Sequence, residues 1–322
     1  MTKYLITGGI GFIGSHLVRK LVEDGHQVSV IDDLSSGAAD PKNLGNIQDQ
    51  VNIVIDTIAN YNAVKRLASD VDVIFHLATQ CLVLGMDDPA KLHQANDVGT
   101  FNICLAAKEC NNKVVFVGTS EEYGDQDVFP IKETAPLRPN SLYALTKVIG
   151  ESYVKFFHET YGVPAVIIRP FNTFGPLQRE DLNMERLMKG FNAYAGVITA
   201  FIKRFEKNEP PVIFGDGHQS RDFTYVSDTV DGMILLSKLS QCEIVNLGYG
   251  IDYSVLELID LMCEIWGNDN HKPVYGPPRF NDIRRLLPDI SLAKSYGYDP
   301  KISFATGLKL YVDWYNHVRR GL

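Results

Sequence analysis

The chain has 322 residues, which is room for about two domains. Hydrophobic residues make up 45% of the sequence and charged residues 22%, the balance of an ordinary globular protein. A net charge of −8, from 31 basic and 39 acidic residues without a basic cluster, argues against nucleic acid as a partner.

The five cysteines show neither a C-x-x-C pair nor a zinc-ligand spacing. We therefore expect buried free thiols in a reducing compartment and no metal site. The first predicted strand begins at residue 3, which leaves no room for a signal peptide, and no apolar run is long enough to cross a bilayer. These features predict a cytoplasmic protein without a membrane partner.

The first predicted strand leads into a run of glycines. Residues 4–6 form a short apolar run typical of a buried parallel strand. Gly9, Gly11 and Gly14 follow with G-x-G-x-x-G spacing, and an amphipathic helical segment comes next. This pattern indicates a dinucleotide site, in which the glycines permit a tight turn and bring a pyrophosphate close to the helix N-terminus. The alternative is a tight strand–helix turn that binds nothing.

An acidic residue ends the second predicted strand, at residues 27–32. Asp32 lies 21 residues after Gly11, where a carboxylate binds the adenosine ribose hydroxyls. A carboxylate accepts a hydrogen bond from a free 2′-OH and repels a 2′-phosphate, so we expect NAD rather than NADP. The alternative is an ordinary carboxylate at the end of a strand.

Strands and helices alternate through the rest of the first half. Alternation of this kind, with apolar β-branched strands, is typical of a parallel sheet covered on both faces. It predicts an α/β, Rossmann-type, doubly wound fold. The predicted strands are 51–56, 71–78, 113–118 and 164–169, and the predicted helices lie near 60–69, 99–109 and 143–161.

The pattern loosens after residue 170, where Pro, Gly and Asn gather. We expect 1–171 to form the dinucleotide-binding domain, and 172–322 to form mainly a smaller α+β domain for the substrate. About 222–249 is expected to return to the larger domain as a helix and a strand. The second half contains a polar stretch from Gln178 to Lys189, predicted helices near 197–207, 254–266 and 304–318, and a strand and turn at 210–217.

A tyrosine and a lysine stand four residues apart on one face of a predicted helix, at Tyr143 and Lys147. A nearby lysine cation favours the phenolate and lowers the pKa of the tyrosine, so Tyr143 could act as a base at neutral pH. Thr119 ends the fifth predicted strand, where ligands bind in α/β sheets, and its hydroxyl could bond the oxygen that Tyr143 deprotonates. The alternatives are a surface Tyr–Lys pair and a threonine that caps a turn.

Over nearly its whole length, the chain resembles the extended short-chain dehydrogenase/reductases that act on nucleotide sugars as epimerases, dehydratases or decarboxylases. The motifs that carry this resemblance are Thr7-Gly-Gly-Ile-Gly-Phe-Ile-Gly14, Val30–Gly37, Phe75-His-Leu-Ala78, Asn96–Thr100, Tyr143-x-x-x-Lys147, Arg169-Pro-Phe-Asn172 and Arg221-Asp-Phe-Thr-Tyr225.

The resemblance implies NAD that is reduced and reoxidised within one turnover. It implies that Tyr143 takes the proton of the sugar 4-OH while NAD takes the C4 hydride, and that Lys147 also binds the nicotinamide ribose. The cofactor site that it implies comprises Gly8, Gly11, Phe12, Ile13, Gly14, Asp32, Asp33, Asp56, Leu77, Ala78, Asn96, Tyr143 and Lys147. The implied contacts to the nucleotide-diphosphate sugar are Ser120, Asn172, Arg221 and Arg284.

Glu121 narrows the choice of reaction. Residues i and i+2 of an extended strand point the same way, so Glu121 should share the active-site face with Thr119. The sequence Thr119-Ser-Glu resembles that of 4,6-dehydratases and UDP-glucuronate decarboxylases, whereas simple 4-epimerases often carry a small or hydroxyl residue here. We favour a dehydratase, because a carboxylate can remove the acidic C5 hydrogen once C4 is oxidised. A 4-epimerase, a decarboxylase and a solvated loop carboxylate stay open.

The resemblance also bears on whether the chain is catalytic. The retained Tyr–Lys pair argues against a non-catalytic NAD-binding regulator. One departure from the group is Glu122, which replaces a common valine.

We also expect a homodimer through the helices near 99–109 and 143–161. Phe101, Leu105 and Val148 are candidates for that interface, although they could instead face the sheet.

Overall fold

The computed structural model describes residues 1–81, 87–178, 196–267, 272–279 and 281–320. Seven strands form its main sheet: β1 (Lys3–Thr7), β2 (Gln27–Asp32), β3 (Asn52–Ile55), β4 (Val73–His76), β5 (Lys113–Val117), β6 (Ala165–Pro170) and β11 (Gln241–Leu247). All pair in parallel, in the order β11-β6-β5-β4-β1-β2-β3.

Some of the helices cover both faces of this sheet. The helices of the described residues are α1 (Phe12–Glu23), α2 (Tyr61–Ala68), α3 (Pro89–His93), α4 (Gly99–Cys110), α5 (Leu142–Tyr161), α6 (Val197–Glu206), α7 (Val226–Leu236), α8 (Val255–Trp266), α9 (Ser291–Ser295) and α10 (Phe304–Arg320). Apolar side chains of α1 and α7 pack on one face of the sheet, and those of α2, α4 and α5 pack on the other. The doubly wound α/β prediction is confirmed. Residues 222–249 include α7 and β11, and β11 is the edge strand of the main sheet.

Short strands and the remaining long helices form the second core. Phe174, Phe223 and Phe304 pack there with the apolar faces of α6, α8 and α10. The strands pair as β7 (Thr173–Phe174) with β10 (Thr224–Tyr225), β8 (Val212–Phe214) with β13 (Val274–Gly276), and β9 (Ser220–Asp222) with β12 (Asp252–Ser254) and β14 (Arg285–Leu286). The polar stretch predicted from Gln178 to Lys189 lies, beyond Gln178, outside the described residues.

The sequence did not reveal how α4 begins. A π-turn at Gln94–Val98 joins the short helix α3 to α4, which makes the helical segment longer than predicted. Asp88 caps α3 by accepting from the N–H of Lys91 at 3.0 Å, and Pro89 supplies a fixed φ at the first helical position.

Only Cys104 of the five cysteines is fully buried, so the expectation of burial is wrong for the other four. The reason is position, because Cys104 lies on the sheet-facing side of α4. No helix in the described part of the chain is long and apolar enough to cross a membrane.

Candidate active site

One cavity of about 460 Å³ opens at the carboxyl ends of the parallel strands, where α/β sheets bind their ligands. The predicted residues that line it are Gly8, Gly11, Phe12, Ile13, Gly14, Asp32, Asp33, Asp56, Leu77, Ala78, Thr119, Ser120, Glu121, Tyr143, Lys147 and Asn172. Three predicted residues do not line it: Asn96, Arg221 and Arg284.

The glycine turn shapes one end of the cavity. Gly8 has a φ of +70°, a conformation that favours glycine, and a Cβ on Gly14 would lie 2.1 Å from the carbonyl oxygen of Gly8. Gly9 faces away from the cavity, and its added Cβ would lie 2.6 Å from the Val30 side chain. The tight turn is therefore at Gly8, while Gly9 allows the turn to pack on β2. A bare backbone surface at a helix N-terminus fits the pyrophosphate of a dinucleotide.

Asp32 stands at the end of β2 with its carboxylate on the cavity wall. It accepts from the N–H of Leu34 at 3.0 Å and from that of Ile10 at 3.4 Å. Burial raises its pKa, and these two backbone hydrogen bonds oppose the rise. The carboxylate is thereby fixed beside the glycine turn, as expected for the group that binds an adenosine ribose.

Asn96 supports the cavity wall from behind. Its side chain is buried, accepts from the N–H of Gln80 at 2.8 Å and donates to the Thr146 hydroxyl at 2.9 Å. It therefore links the loop after β4 to α5. Asn96 contacts the cavity wall through Gln80 and through the hydroxyl of Thr79, which donates to its Oδ1 at 3.1 Å, and both of these residues line the cavity.

Tyr143 and Thr119 meet across the cavity through a hydrogen bond between their side chains. Burial raises the pKa of Tyr143, and the hydrogen bond from Thr119 opposes the rise. This direction is opposite to the one expected from Lys147. The Lys147 ammonium group donates to the carbonyl of Val117 at 2.6 Å, and desolvation of the phenol is the largest contribution to the pKa of Tyr143.

Glu121 lies in the short 3₁₀ turn at Ser120–Tyr123, which follows β5, and it faces the same cavity as Thr119. Burial raises the pKa of Glu121, with a further rise from Asp282, and the Arg221 guanidinium opposes both. Arg221 is paired with Asp282 at 3.0 Å. Glu121 is thus a second acid–base group beside Tyr143, bordered by an ion pair.

Arg279 was not found from the sequence. Its guanidinium lies 5.2 Å from the ring centre of Phe214, and its buried Nε has no hydrogen-bond partner among the described residues. Burial lowers the pKa of Arg279, the carboxylate of Asp282 opposes this, and the like charge of Arg221 lowers the pKa further. Two neighbouring guanidinium groups, one of them incompletely bonded, favour an anionic ligand.

Arg284 points to the surface instead. Its side chain is 60% exposed and pairs with Asp216 at 2.7 Å. Three arginines lie within seven residues, at positions 279, 284 and 285, and that cluster was the available sequence signal. The path of the loop between β13 and β14 decides which of these three arginines faces inward. The residue types alone do not specify that path.

Asn172 and Ser120 complete the wall nearest to Glu121. The buried Oδ1 of Asn172 has no donor within the described ranges, and it lies on a residue that lines the cavity. An unpaired buried acceptor indicates a ligand that donates to it. Ser120 is buried and contributes to the same wall.

A glycine cradle, a ribose-directed carboxylate, and a Tyr–Thr pair beside a buried lysine together define a dinucleotide-dependent enzyme of the short-chain dehydrogenase/reductase class. The model of the NAD dependent epimerase/dehydratase family matches residues 4–248. The chain belongs to that family, and NAD is its cofactor.

Three relatives illustrate the range of the family. A protein of Methanocaldococcus jannaschii, provisionally named UDP-glucose 4-epimerase, is 35% identical over 98% of this chain and 99% of its own. UDP-glucuronic acid decarboxylase 1 of Danio rerio is 31% identical over 98% of this chain and 72% of its own. The structure of a Thermotoga maritima UDP-glucose 4-epimerase with UDP-glucose has a TM-score of 0.89 and 34% identity, covering 98% of this chain and 99% of that one.

Proposed function

We propose that the chain oxidises C4 of a UDP-linked hexose and then eliminates water from the 4-keto sugar, as a 4,6-dehydratase does. The observation that carries this proposal is the presence of two separate acid–base groups, Tyr143 and Glu121, in one cavity. Oxidation at C4 uses one proton acceptor, and elimination at C5 and C6 uses a second. The UDP group is proposed from the names of the relatives.

Tyr143 is the base for the sugar 4-OH in this proposal. Its phenol oxygen accepts the 4-OH proton, and the Thr119 hydroxyl, already bonded to Tyr143, holds the same substrate oxygen in line. When bound, NAD would accept the hydride from C4 and return it to C6 after water has left. The proton that Tyr143 took from the 4-OH balances the one added at C5, so the net change is the loss of one water. Gly8, Gly14 and Asp32 would hold it, because they form the cradle and the ribose site.

Glu121 acts on the 4-keto sugar. A ketone at C4 acidifies the C5 hydrogen, which Glu121 takes as a proton and then delivers to the departing C6 hydroxyl as water leaves. A raised pKa suits this double role, because the group must both accept and donate a proton near neutral pH. Arg221 and Arg279 bind the diphosphate, with Asn172 and Ser120 beside it. The assignment of Arg284 to the diphosphate stays a prediction.

A second candidate is 4-epimerisation, favoured by the relatives in Methanocaldococcus jannaschii and Thermotoga maritima. It needs Tyr143 but no second base. Decarboxylation of a UDP-hexuronate is a third outcome, suggested by the Danio rerio relative.

Product mass separates the three reactions. The holoenzyme is incubated with UDP-glucose, UDP-N-acetylglucosamine and UDP-glucuronate, and with dTDP-, GDP- and CDP-glucose for comparison. Loss of water supports the proposal, whereas loss of carbon dioxide indicates a decarboxylase. An unchanged mass with altered chromatographic retention would replace the dehydratase by a 4-epimerase.

The organisation of the protein is proposed on the same basis. We place the NAD-binding domain at 1–171, with α7 and β11 added, and the sugar-nucleotide domain in the rest of 172–322. A homodimer through α4 and α5 and a cytoplasmic location are part of the proposal.

A further inference from the structure

A buried group of charged side chains lies directly beneath the turn that carries Thr119 and Glu121. Glu122 points away from the cavity and is fully buried. Its Oε1 accepts from the N–H of Thr119 at 2.9 Å, which closes a capping box at the start of the turn. A Cβ on Gly118 would lie 2.7 Å from the same oxygen, so the backbone is fitted closely around this carboxyl group.

The second oxygen of Glu122 shows where a proton must be. It lies 3.3 Å from Nε of Arg169, but the single hydrogen on that nitrogen is donated to Glu151 at 2.7 Å. Oε2 of Glu122 therefore has no donor in the described part of the chain, although it is buried. Glu122 and Glu151 are nevertheless close neighbours, because the same Nε of Arg169 lies 2.7 Å from Oε1 of Glu151 and 3.3 Å from Oε2 of Glu122. Two carboxyl groups placed so close together in a buried site are stabilised when one of them is protonated and donates to the other.

Arginine decides which carboxyl group is ionised. Arg169 holds Glu151 through a two-pronged pair, with both distances at 2.7 Å. Although burial works against it, this pair keeps the pKa of Glu151 below its ordinary value. Burial and the neighbouring Glu151 raise the pKa of Glu122 well above its own.

The charged groups that face Glu122 come from two other elements. Glu151 and Lys147 belong to α5, and Arg169 belongs to β6. Lys155, also on α5, bonds Glu151 from the outer side at 3.1 Å. Of the two buried carboxyl groups, Glu151 is hydrogen bonded by both Arg169 and Lys155, whereas Glu122 is hydrogen bonded by neither. A negative charge on Glu122 would therefore be the less well compensated of the two.

We propose that Glu122 is a positioning residue that is neutral at working pH: it donates its proton to Glu151, accepts from the Thr119 N–H, and so fixes the active-site turn without placing a negative charge beside Lys147. This inference deepens the proposed function, since it concerns the turn that carries Thr119 and Glu121. Its consequence for catalysis is electrostatic. An ionised Glu122 would raise the pKa of Tyr143, because the two groups are close enough to interact. A neutral Glu122 removes that obstacle to phenolate formation.

Two substitutions of similar size separate charge from hydrogen bonding. Glu122→Gln keeps an acceptor for Thr119 and a donor for Glu151, and Glu122→Leu keeps neither. We expect Glu122→Leu to lower kcat about tenfold or more, since the turn is no longer held in place. We expect Glu122→Gln to restore kcat to within about twofold of wild type and to leave the acid limb of its pH profile unmoved.

Infrared spectroscopy detects whether Glu122 is protonated, and it is carried out on the NAD-loaded protein without sugar substrate. The difference spectrum between wild type and Glu122→Gln at pH 7 should contain the carbonyl stretch of one protonated carboxylic acid. Glu151→Gln is the reciprocal variant. It should lose this band, because Glu122 then becomes the sole carboxylate partner of Arg169.

Two results would overturn the proposal: absence of the band in wild type, or an acid limb that moves by about one pH unit or more in Glu122→Gln. Failure of wild type to convert any UDP-sugar would refute the proposed function alone. In that event the infrared band and its response to Glu151→Gln still decide the state of Glu122.

Discussion

At the scale of single residues, we expect catalysis to depend first on the Tyr143 hydroxyl. Tyr143→Phe removes the acceptor for the 4-OH proton but keeps the ring that fills the cavity wall. We expect the rate of C4 oxidation to fall by about 10²- to 10⁴-fold, measured as reduced cofactor formed after mixing with the active UDP-sugar. Binding of the sugar nucleotide, measured by calorimetry, should change little.

Thr119→Val is the matched control for that experiment. It removes the hydrogen bond to Tyr143 and opposes phenolate formation, but leaves the base in place. The rate of this variant should fall less than that of Tyr143→Phe. The acid limb of its pH profile should move to higher pH, because the hydrogen bond from Thr119 lowers the pKa of Tyr143 in wild type and its loss raises that pKa. Equal losses in the two variants would mean that Tyr143 is not the base.

Glu121→Gln tests the second step separately from the first. The amide cannot take the C5 proton, but it preserves the size of the side chain. We expect reduced cofactor to form and persist while the product with one water fewer fails to appear in the mass spectrum. A fully active Glu121→Gln that only inverts C4 would favour the 4-epimerase.

We expect Asp32 to determine the choice of dinucleotide. Asp32→Ala removes the ribose acceptor and the charge that repels a 2′-phosphate. We expect weaker binding of NAD and stronger binding of NADP, so that the ratio of the two dissociation constants approaches one; both are measurable by fluorescence titration. Wild-type protein that binds NADP more tightly than NAD would contradict this assignment.

At the scale of elements, a buried carboxylate ties β9 to the loop that follows β11. Asp222 is fully buried and accepts from the N–H groups of Tyr249 and Gly250 and from the hydroxyl of Thr224. Burial raises its pKa to about 6, and these hydrogen bonds oppose the rise. In the unfolded chain the pKa returns to about 3.9.

This shift predicts a pH dependence of stability. Because the folded pKa is the higher one, the native state holds a proton that the unfolded chain has released. The resulting stabilisation is present below about pH 4 and is lost as the pH rises through about 6, a change of about 3 kcal/mol. Between pH 4.5 and 6.5, the free energy of unfolding measured with urea should fall more in wild type than in Asp222→Asn. An equal fall in the two proteins would contradict the pKa assigned to Asp222.

The sequence predicts well those elements whose signal is local. Apolar β-branched runs predicted the main strands, and the glycine spacing placed the turn between β1 and α1. The spacing of Tyr143 and Lys147 placed both on α5. Each of these predictions depends on residues a few positions apart, for which backbone geometry and side-chain period decide the outcome.

Features that depend on distant contacts could not be predicted. Arg279 and Arg284 have the same side chain, yet one lies beside Phe214 and the other in solvent, because the fold places only the first next to β8. The direction of the Tyr143 pKa shift depends on burial, which helix spacing does not reveal. The carboxyl pair of Glu122 and Glu151 likewise joins a turn and a helix far apart in the chain.

At the scale of the whole molecule, α4 and α5 present an apolar outer surface. Phe101 is 40% exposed and packs edge-to-face with Tyr153 and Phe157, while Phe156 and Tyr161 are 52% and 48% exposed. The expected interface residues Leu105 and Val148 are only partly exposed, so they contribute less to this surface. Aromatic side chains grouped on two adjacent helices are typical of a protein–protein interface.

We expect a homodimer through this surface. Wild type should have the mass of two chains in light scattering at about micromolar concentration. A charge placed at the centre of an apolar interface is strongly unfavourable, so Phe156→Glu should shift the protein to a monomer and make its Tm independent of concentration. Val128→Glu is the matched control, because Val128 is 76% exposed on a separate loop, and this variant should stay dimeric. A wild-type monomer, or dissociation of both variants alike, would remove α4 and α5 from the interface.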